Sequence, residues 1–293
     1  MSRRLRVGEL RIATEGLAIL RAFLSGDDAD IHARLDGIRA SLGSLDHGTD
    51  DDIDRFTVDV RELEAGEGYA RWAETYDEPG NALIDIEGAV MRRLVGPPPW
   101  GDVLDACTGT GRHLRWLAEQ AVSATGLDQS PDMLARAKTA VPSASFLCAH
   151  LLGDHDGDLP DASFDLVVCS LALTHFVSLD EPVATLTRLV RPGGRVVISD
   201  AHPFMALLDG HAFFFEADGS TPFVRNHVHQ ISAYLRAFRA AGLVVEDCDE
   251  FVLGPGDGPA GNGVVALVAP EASRAAFVGM PFVLGWSLRR PDC

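Results

Sequence analysis

The chain has 293 residues, 46% hydrophobic and 23% charged, enough for one α/β domain with an appendage or for two modest domains. Twenty-five Lys and Arg stand against 43 Asp and Glu, a net charge of −18 with no local basic patch, which excludes nucleic acid as a partner because phosphates would be repelled. No apolar run reaches the roughly 18 residues of a membrane span and no signal-peptide core follows the basic N-terminus, so a cytoplasmic protein with no membrane partner is expected.

Residues 1–68 read as a helical, acidic appendage. Leu10, Ile12, Leu17, Leu20 and Leu24 have helical spacing, as do Ile31, Leu35, Ile38 and Leu42, with a break at Ser25-Gly26-Asp27-Asp28. From Gly26 to Glu67 there are 13 acidic and 4 basic residues, so half of the net charge lies in one seventh of the chain and reads as a solvated face, the alternative being a site for a basic partner. The stretch up to Gly68 is poorly periodic, and the appendage is expected to cap a site or to mediate a homodimer.

Residues 69–293 alternate strand and helix. Tyr69 to Val95 is expected to be helical with a break at Pro79-Gly80. Short apolar runs follow at Asp102–Asp105, Ala124–Asp128, Phe146–Cys148, Phe164–Leu173 and Arg195–Ser199, separated by helical segments. Ser130-Pro131 supplies an N-cap and a first-turn proline for one of those helices. The pattern predicts a doubly wound, mainly parallel α/β sheet. A hairpin is expected over about 211–229, then a helix over Ser232–Ala241, a strand over Leu243–Val252, a glycine-rich loop over Gly254–Gly263 and a last strand over Pro281–Leu288. The five cysteines, Cys107, Cys148, Cys169, Cys248 and Cys293, lack C-x-x-C spacing, which disfavours a disulfide framework and a zinc site; no metal is expected.

The chemically informative stretch is Asp105-Ala106-Cys107-Thr108-Gly109-Thr110-Gly111, where a strand ends in a carboxylate and a glycine turn opens a helix. Ligands of open α/β sheets bind beyond the carboxyl ends of the strands. A dinucleotide turn needs G-x-G-x-x-G, and here Leu114 stands at the third glycine. A carboxylate just before the turn would repel a pyrophosphate and suits an ammonium group, as carried by S-adenosylmethionine. Asp128, at the end of the next strand, is placed to accept ribose hydroxyls, the alternative being a helix cap.

On these motifs the chain from about Tyr69 to Leu288 resembles the class I S-adenosylmethionine-dependent methyltransferases, most closely the UbiE-like and type 11 group. The matching runs are Leu104-Asp105 to Gly111, Gly126-Leu127-Asp128-Gln129-Ser130 with Met133-Leu134, Leu159 to Val168, and Leu189 to Arg195. The resemblance implies a Rossmann-like seven-stranded sheet with an antiparallel last strand, and S-adenosylmethionine as cofactor with S-adenosylhomocysteine as product. It implies that Asp105, Gly109 and Gly111 line the methionine end, that Asp128 holds the ribose, and that Gln129 and Met133 flank the adenine. It also implies that His150 and Leu151 lie beside the adenine, that Ser170 and Leu171 border the sulfonium, and that Tyr69 and Tyr76 cover the cofactor. The sequence departs from the family pattern at Cys107, where the turn's first glycine is expected, and at Cys148-Ala149-His150-Leu151, which lacks the acid often found after the third strand.

Methyl transfer aligns a nucleophile with a sulfonium carbon and, for a hydroxyl or amine, removes a proton. His175 is the candidate base, or else positions the cofactor. His202, Phe214 and His229 are the candidate acceptor contacts, with Phe214 in an aromatic cluster on the hairpin. His227 and His229 would share a face if both lay on one strand. The expected activity is methylation of a small molecule, in secondary metabolism, with O, N and C acceptors all open. The alternative is a protein of the same fold that binds the cofactor without transferring methyl.

Overall fold

The computed structural model describes all residues except 1, 25, 27, 80, 154–158, 257–262 and 293. Two compact units result: residues 63–212, 224–251 and 281–293 form one, and residues 1–62, 213–223 and 252–280 the other. The second unit is therefore assembled from three stretches, unlike the contiguous 1–68 appendage expected from the sequence.

The first unit is built on seven strands, β1 (Asp102–Ala106), β2 (Ser123–Asp128), β3 (Ser145–Cys148), β4 (Phe164–Ser170), β5 (Val190–Ala201), β6 (Val244–Val252) and β7 (Pro281–Arg289). Their order across the sheet is β6-β7-β5-β4-β1-β2-β3. Strands β1 to β5 pair in parallel, and β7 runs antiparallel to β5, with Trp286 opposite Ile198. This is the doubly wound, Rossmann-like sheet with an antiparallel last strand that the motifs implied. The Pro192-Gly193-Gly194 turn is absorbed into β5: the register with β4 skips from Phe164–Val190 to Leu166–Arg195, so the glycines form a bulge in a continuing strand.

Central strands are apolar on both faces because helices cover both. Leu104, Val167, Cys169, Val196, Ile198 and Leu284 are all fully buried. The helix Ala82–Val95 lies on β7 at Gly285, where a Cβ would sit 2.5 Å from Leu94 Cδ1 and 2.9 Å from Val90 Cγ1. Only glycine lets backbone and helix approach so closely. Ser130 caps the helix Pro131–Ala140 by accepting from the Met133 amide at 3.3 Å, as its sequence foretold. The helical reading of Tyr69–Val95 resolves into Ala65–Trp72 and Ala82–Val95; of the expected break, Gly80 lies outside the described residues.

The second unit carries a four-stranded sheet in the order Ser2–Arg6, Thr57–Leu63, Thr221–Val224, Ala212–Phe213. Helices Val7–Ala22 and Asp28–His47 match the two amphipathic runs; Ser25 and Asp27 of the expected break lie outside the described residues. Two strands went unread. Thr57–Leu63 alternates Val58 and Val60 inward with Thr57, Asp59 and Arg61 outward before Leu63 breaks the alternation, a period of two that the surrounding acid run masks. The expected hairpin is present but shorter, and it pairs with Thr57–Leu63 in this sheet, so that Val7, Val58, Val60 and Phe223 share one small core. Arg21 donates to the carbonyls of Ala275 and Ala276 at 3.2 and 2.8 Å, which fastens the returning stretch to the first helix. Most of the glycine-rich loop expected over Gly254–Gly263 lies outside the described residues.

Candidate functional site

The turn after β1 is held in a left-handed run, with φ of 59° at Cys107, 55° at Gly109 and 81° at Gly111. Glycine adopts this conformation without cost, whereas Cys107 brings a Cβ into it. At Gly111 a Cβ would meet Ala137 at 3.2 Å, while a Cβ on Gly109 would meet nothing within 4 Å among the described residues, which leaves open space against the backbone there. The Gly109 amide donates to Asp128 Oδ2 and the Ser130 amide to Asp128 Oδ1, both at 2.8 Å. Burial raises the Asp128 carboxyl, and these amides oppose it. Lone pairs remain on both oxygens for a diol.

Asp105 takes a different place from the open, ammonium-facing one its position implied. It is 1% exposed, accepts from Thr108 Oγ1 at 2.7 Å and from the Leu114 amide, and is raised by burial. It shapes the turn from within. Met133 and Leu151 are likewise core residues, at 1% and 2% exposure, while Gln129 and His150 are exposed near the ends of β2 and β3. At the end of β4, Ser170 Oγ is buried without a hydrogen-bond partner among the described residues, and Leu171 adopts φ of 51°. An orphaned hydroxyl beside a left-handed turn is a place where a polar ligand atom would be satisfied.

Aromatic rings from the helix Ala65–Trp72 and the turn after it close this end. Tyr69 stacks on Trp72 at 5.9 Å, and Trp72 meets Tyr76 edge-on at 4.9 Å. Thr110 Oγ1 of the glycine turn donates to Asp77 Oδ1 at 2.9 Å, a tie between turn and cover that the sequence did not announce. Burial lifts the Tyr69 phenol well above its ordinary value and the Tyr76 phenol to about 12, so both stay protonated.

His175 is engaged at both ring nitrogens. Nδ1 lies 2.8 Å from the Arg225 carbonyl, which can only accept, so Nδ1 carries the proton. Nε2 then accepts from the Tyr69 hydroxyl at 2.7 Å. Burial pushes this ring down to about 4, against the Arg225 carbonyl, so it is neutral at pH 7. A polar network supports it. Thr174, the preceding residue, donates its amide to Asp200 Oδ1 at 3.3 Å, and its carbonyl accepts the His227 amide at 2.6 Å. Its Oγ1 meets Asn226 Oδ1 at 3.2 Å. Asp200 is fully buried, accepts from Tyr234 Oη at 2.7 Å, and is pushed up to about 7 by burial.

The expected acceptor contacts have other partners. His202 caps the helix Pro203–Leu207 through Nδ1 and meets Glu250 through Nε2 at 3.0 Å. His229 donates Nε2–H to the Phe176 carbonyl at 2.8 Å. Phe214 is buried within the other unit, where its amide donates to Pro222. His227 and His229 lie in an irregular segment after Thr221–Val224, not on a strand.

A buried cluster behind the turn also went unread. Glu87, fully buried, binds Arg112 at 2.7 Å, His113 Nε2 at 3.0 Å and the Ser199 hydroxyl. Burial would raise its carboxyl, but His113, Arg112 and Ser199 together bring it down to about 2. The legible signal was an acid inside the apolar stripe Ile86, Val90, Met91, Leu94.

Residues 104–198 match the model of the methyltransferase domain family. The chain is 29% identical over 156 residues to a demethylmenaquinone methyltransferase of Tropheryma whipplei, covering 51% of this chain and 62% of that one. It is 32% identical over 144 residues to a malonyl-[acyl-carrier protein] O-methyltransferase of Serratia marcescens, covering 48% and 53%. The chain thus spans less than two thirds of the length of either relative. Among solved structures, an S-adenosylmethionine-dependent methyltransferase from Mesorhizobium loti matches with a TM-score of 0.52 and 26% identity, over 70% of this chain and 98% of that one.

Proposed function

The chain belongs to the class I S-adenosylmethionine-dependent methyltransferases, and from that premise we propose that it methylates a small-molecule acceptor bearing an exchangeable proton. The observation that carries the reading is the left-handed turn Cys107–Gly111, pinned by Asp128 at the carboxyl ends of β1 and β2. Bound there, S-adenosylmethionine supplies an electrophilic methyl group on its sulfonium. Asp128 would accept the ribose hydroxyls, the open space at Gly109 would admit the ligand against the backbone, and the Ser170 hydroxyl would gain a partner. Tyr69 and Tyr76 would close the site and exclude water.

His175 serves in this reading as a positioning residue: as the Nδ1–H tautomer it orients the Tyr69 hydroxyl, and neither ring nitrogen is left for the acceptor. The acidity of the chain favours a small acceptor over a nucleic acid. The relatives named for demethylmenaquinone, for quinone C-methylation and for a malonyl-[acyl-carrier protein] make quinols and carboxyl-bearing acceptors the first to screen, with carbon and oxygen both open as the methylated atom.

The test is calorimetric titration with S-adenosylhomocysteine followed by transfer from methyl-labelled cofactor. Micromolar binding is expected, with Asp128→Ala weakening it at least about tenfold, the cost of one charge-assisted contact. Tyr69→Phe should keep that binding within about threefold and lower kcat by about 10-fold or more. Absence of binding would overturn the reading, and binding without transfer to any acceptor would favour a non-methylating protein of this fold.

A further inference from the structure

Four of the histidines around the end of β4 and β5 are committed to the fold. His175 holds Arg225 and Tyr69, His202 holds Glu250 and the Phe204 amide, His211 accepts from the Asn226 amide, and His229 holds the Phe176 carbonyl. His227 differs. Its backbone is pinned, the amide donating to the Thr174 carbonyl at 2.6 Å, yet among the described residues neither nitrogen of its ring has a hydrogen-bond partner. The ring is half-buried, with its centroid 6.4 Å from that of His229. It is near enough to oppose a positive charge on His175, one residue beyond the Thr174 that anchors it. Its ring nitrogens are absent from the buried unpartnered atoms, so they reach solvent, and an imidazole held by its backbone with both nitrogens unused by the fold is open to a ligand.

We propose that His227, not His175, is the catalytic residue that takes the proton of the acceptor's hydroxyl or amine during methyl transfer. The proposal rests on the methyl-transfer reading above. In the step, the bond from the acceptor oxygen or nitrogen to the methyl carbon forms as the carbon–sulfur bond breaks. The bonding pair goes to sulfur, giving neutral S-adenosylhomocysteine, and the acceptor proton goes to a ring nitrogen of His227, which later returns it to water. The groups facing this ring are His175 and His229; His211 acts on His175, and Tyr69, Asp200 and Tyr234 lie behind the two. His175 and His229 are both held below the ordinary imidazole range, first by burial, so neither is a fixed cation beside the ring.

The experiment uses the full chain, His227→Gln and His229→Gln. The first readout is independent of turnover: diethyl pyrocarbonate is applied to the S-adenosylhomocysteine-loaded protein and adducts are mapped by mass spectrometry. His227 is expected to be labelled along with exposed His47, and His175 to be spared. The second is transfer from methyl-labelled S-adenosylmethionine to catechol, 1,4-dihydroxynaphthalene and aniline. His227→Gln should lower kcat about 100-fold, the scale of a lost general base, with product affinity within about twofold and partial rescue by added imidazole. His229→Gln should lose stability without that pattern. A His227 that resists labelling while His47 reacts overturns the proposal, and so does a His227→Gln enzyme within about threefold of an active parent. A parent that binds S-adenosylhomocysteine yet methylates neither these three nor the carboxyl-bearing acceptors overturns the methyl-transfer reading, and the role of His227 with it.

Discussion

Glu87 and Asp200 are two carboxylates of one unit, both fully buried, yet their environments drive them in opposite directions. Glu87 has Arg112 and His113 against it and falls to about 2; Asp200 is raised by burial to about 7, with hydrogen bonds from Tyr234 and the Thr174 and Leu173 amides opposing and the Glu87 charge adding to the rise. Burial penalises both charges alike, so the difference lies in whether a cation is buried with the acid. Glu87 ties the helix Ala82–Val95 to the first turn after the glycine loop and to β5, which is a structural task. Asp200 sits under Thr174 and so under the His175–Tyr69 pair, where a carboxyl poised near neutrality is part of the site's support.

Removing the Glu87 carboxylate should do the most damage, since Arg112 and His113 would be left buried without it. Glu87→Ala is expected to cost about 3–5 kcal/mol, read from urea unfolding at pH 7. A cost below about 1 kcal/mol would break the comparison. Because its carboxyl is lowered in the folded chain, Glu87 contributes stability above its unfolded value near 4.5 that is lost as pH falls toward about 2.

For Asp200 the sign is reversed. Its raised carboxyl stays protonated in the folded chain while the unfolded chain ionises, so stability falls as pH rises from about 4 to about 7 and is level above that. Asp200→Asn should flatten this decline by on the order of 2 kcal/mol, measured as unfolding free energy across that window. An unchanged slope would show that Asp200 does not hold its proton there.

The smallest effect is expected outside both carboxylates. Cys107 bears a Cβ at φ of 59°, where L residues are strained by about 1–2 kcal/mol, and glycine would relieve that at the expense of greater unfolded-chain entropy. Cys107→Gly should therefore gain less than about 1 kcal/mol by thermal unfolding. A loss would show that packing of the thiol against Cys169 and the surrounding core outweighs the strain.

Sequence reading alone reaches the glycine turn and the sheet that carries it. Those features are local: a strand ending at Asp105, glycines at Gly109 and Gly111 for a left-handed turn, a Ser130-Pro131 helix start, Asp128 at a strand end, and the order of alternating runs that makes the sheet parallel. The hydrogen-bonded histidines around the ends of β4 and β5, and the second unit, are set by contacts between distant segments. Tyr69 meets His175 across 106 positions, Asp200 meets Tyr234 across 34, and Glu87 meets Ser199 across 112. Which histidine is tied down and which is left open depends on those meetings: His175, His202 and His229 are spent on carbonyls, a phenol and Glu250, while His227 is not. Side-chain type and spacing encode how a short segment folds. The partner of a buried polar group is chosen by chain segments that come together from far apart, and no local pattern records it.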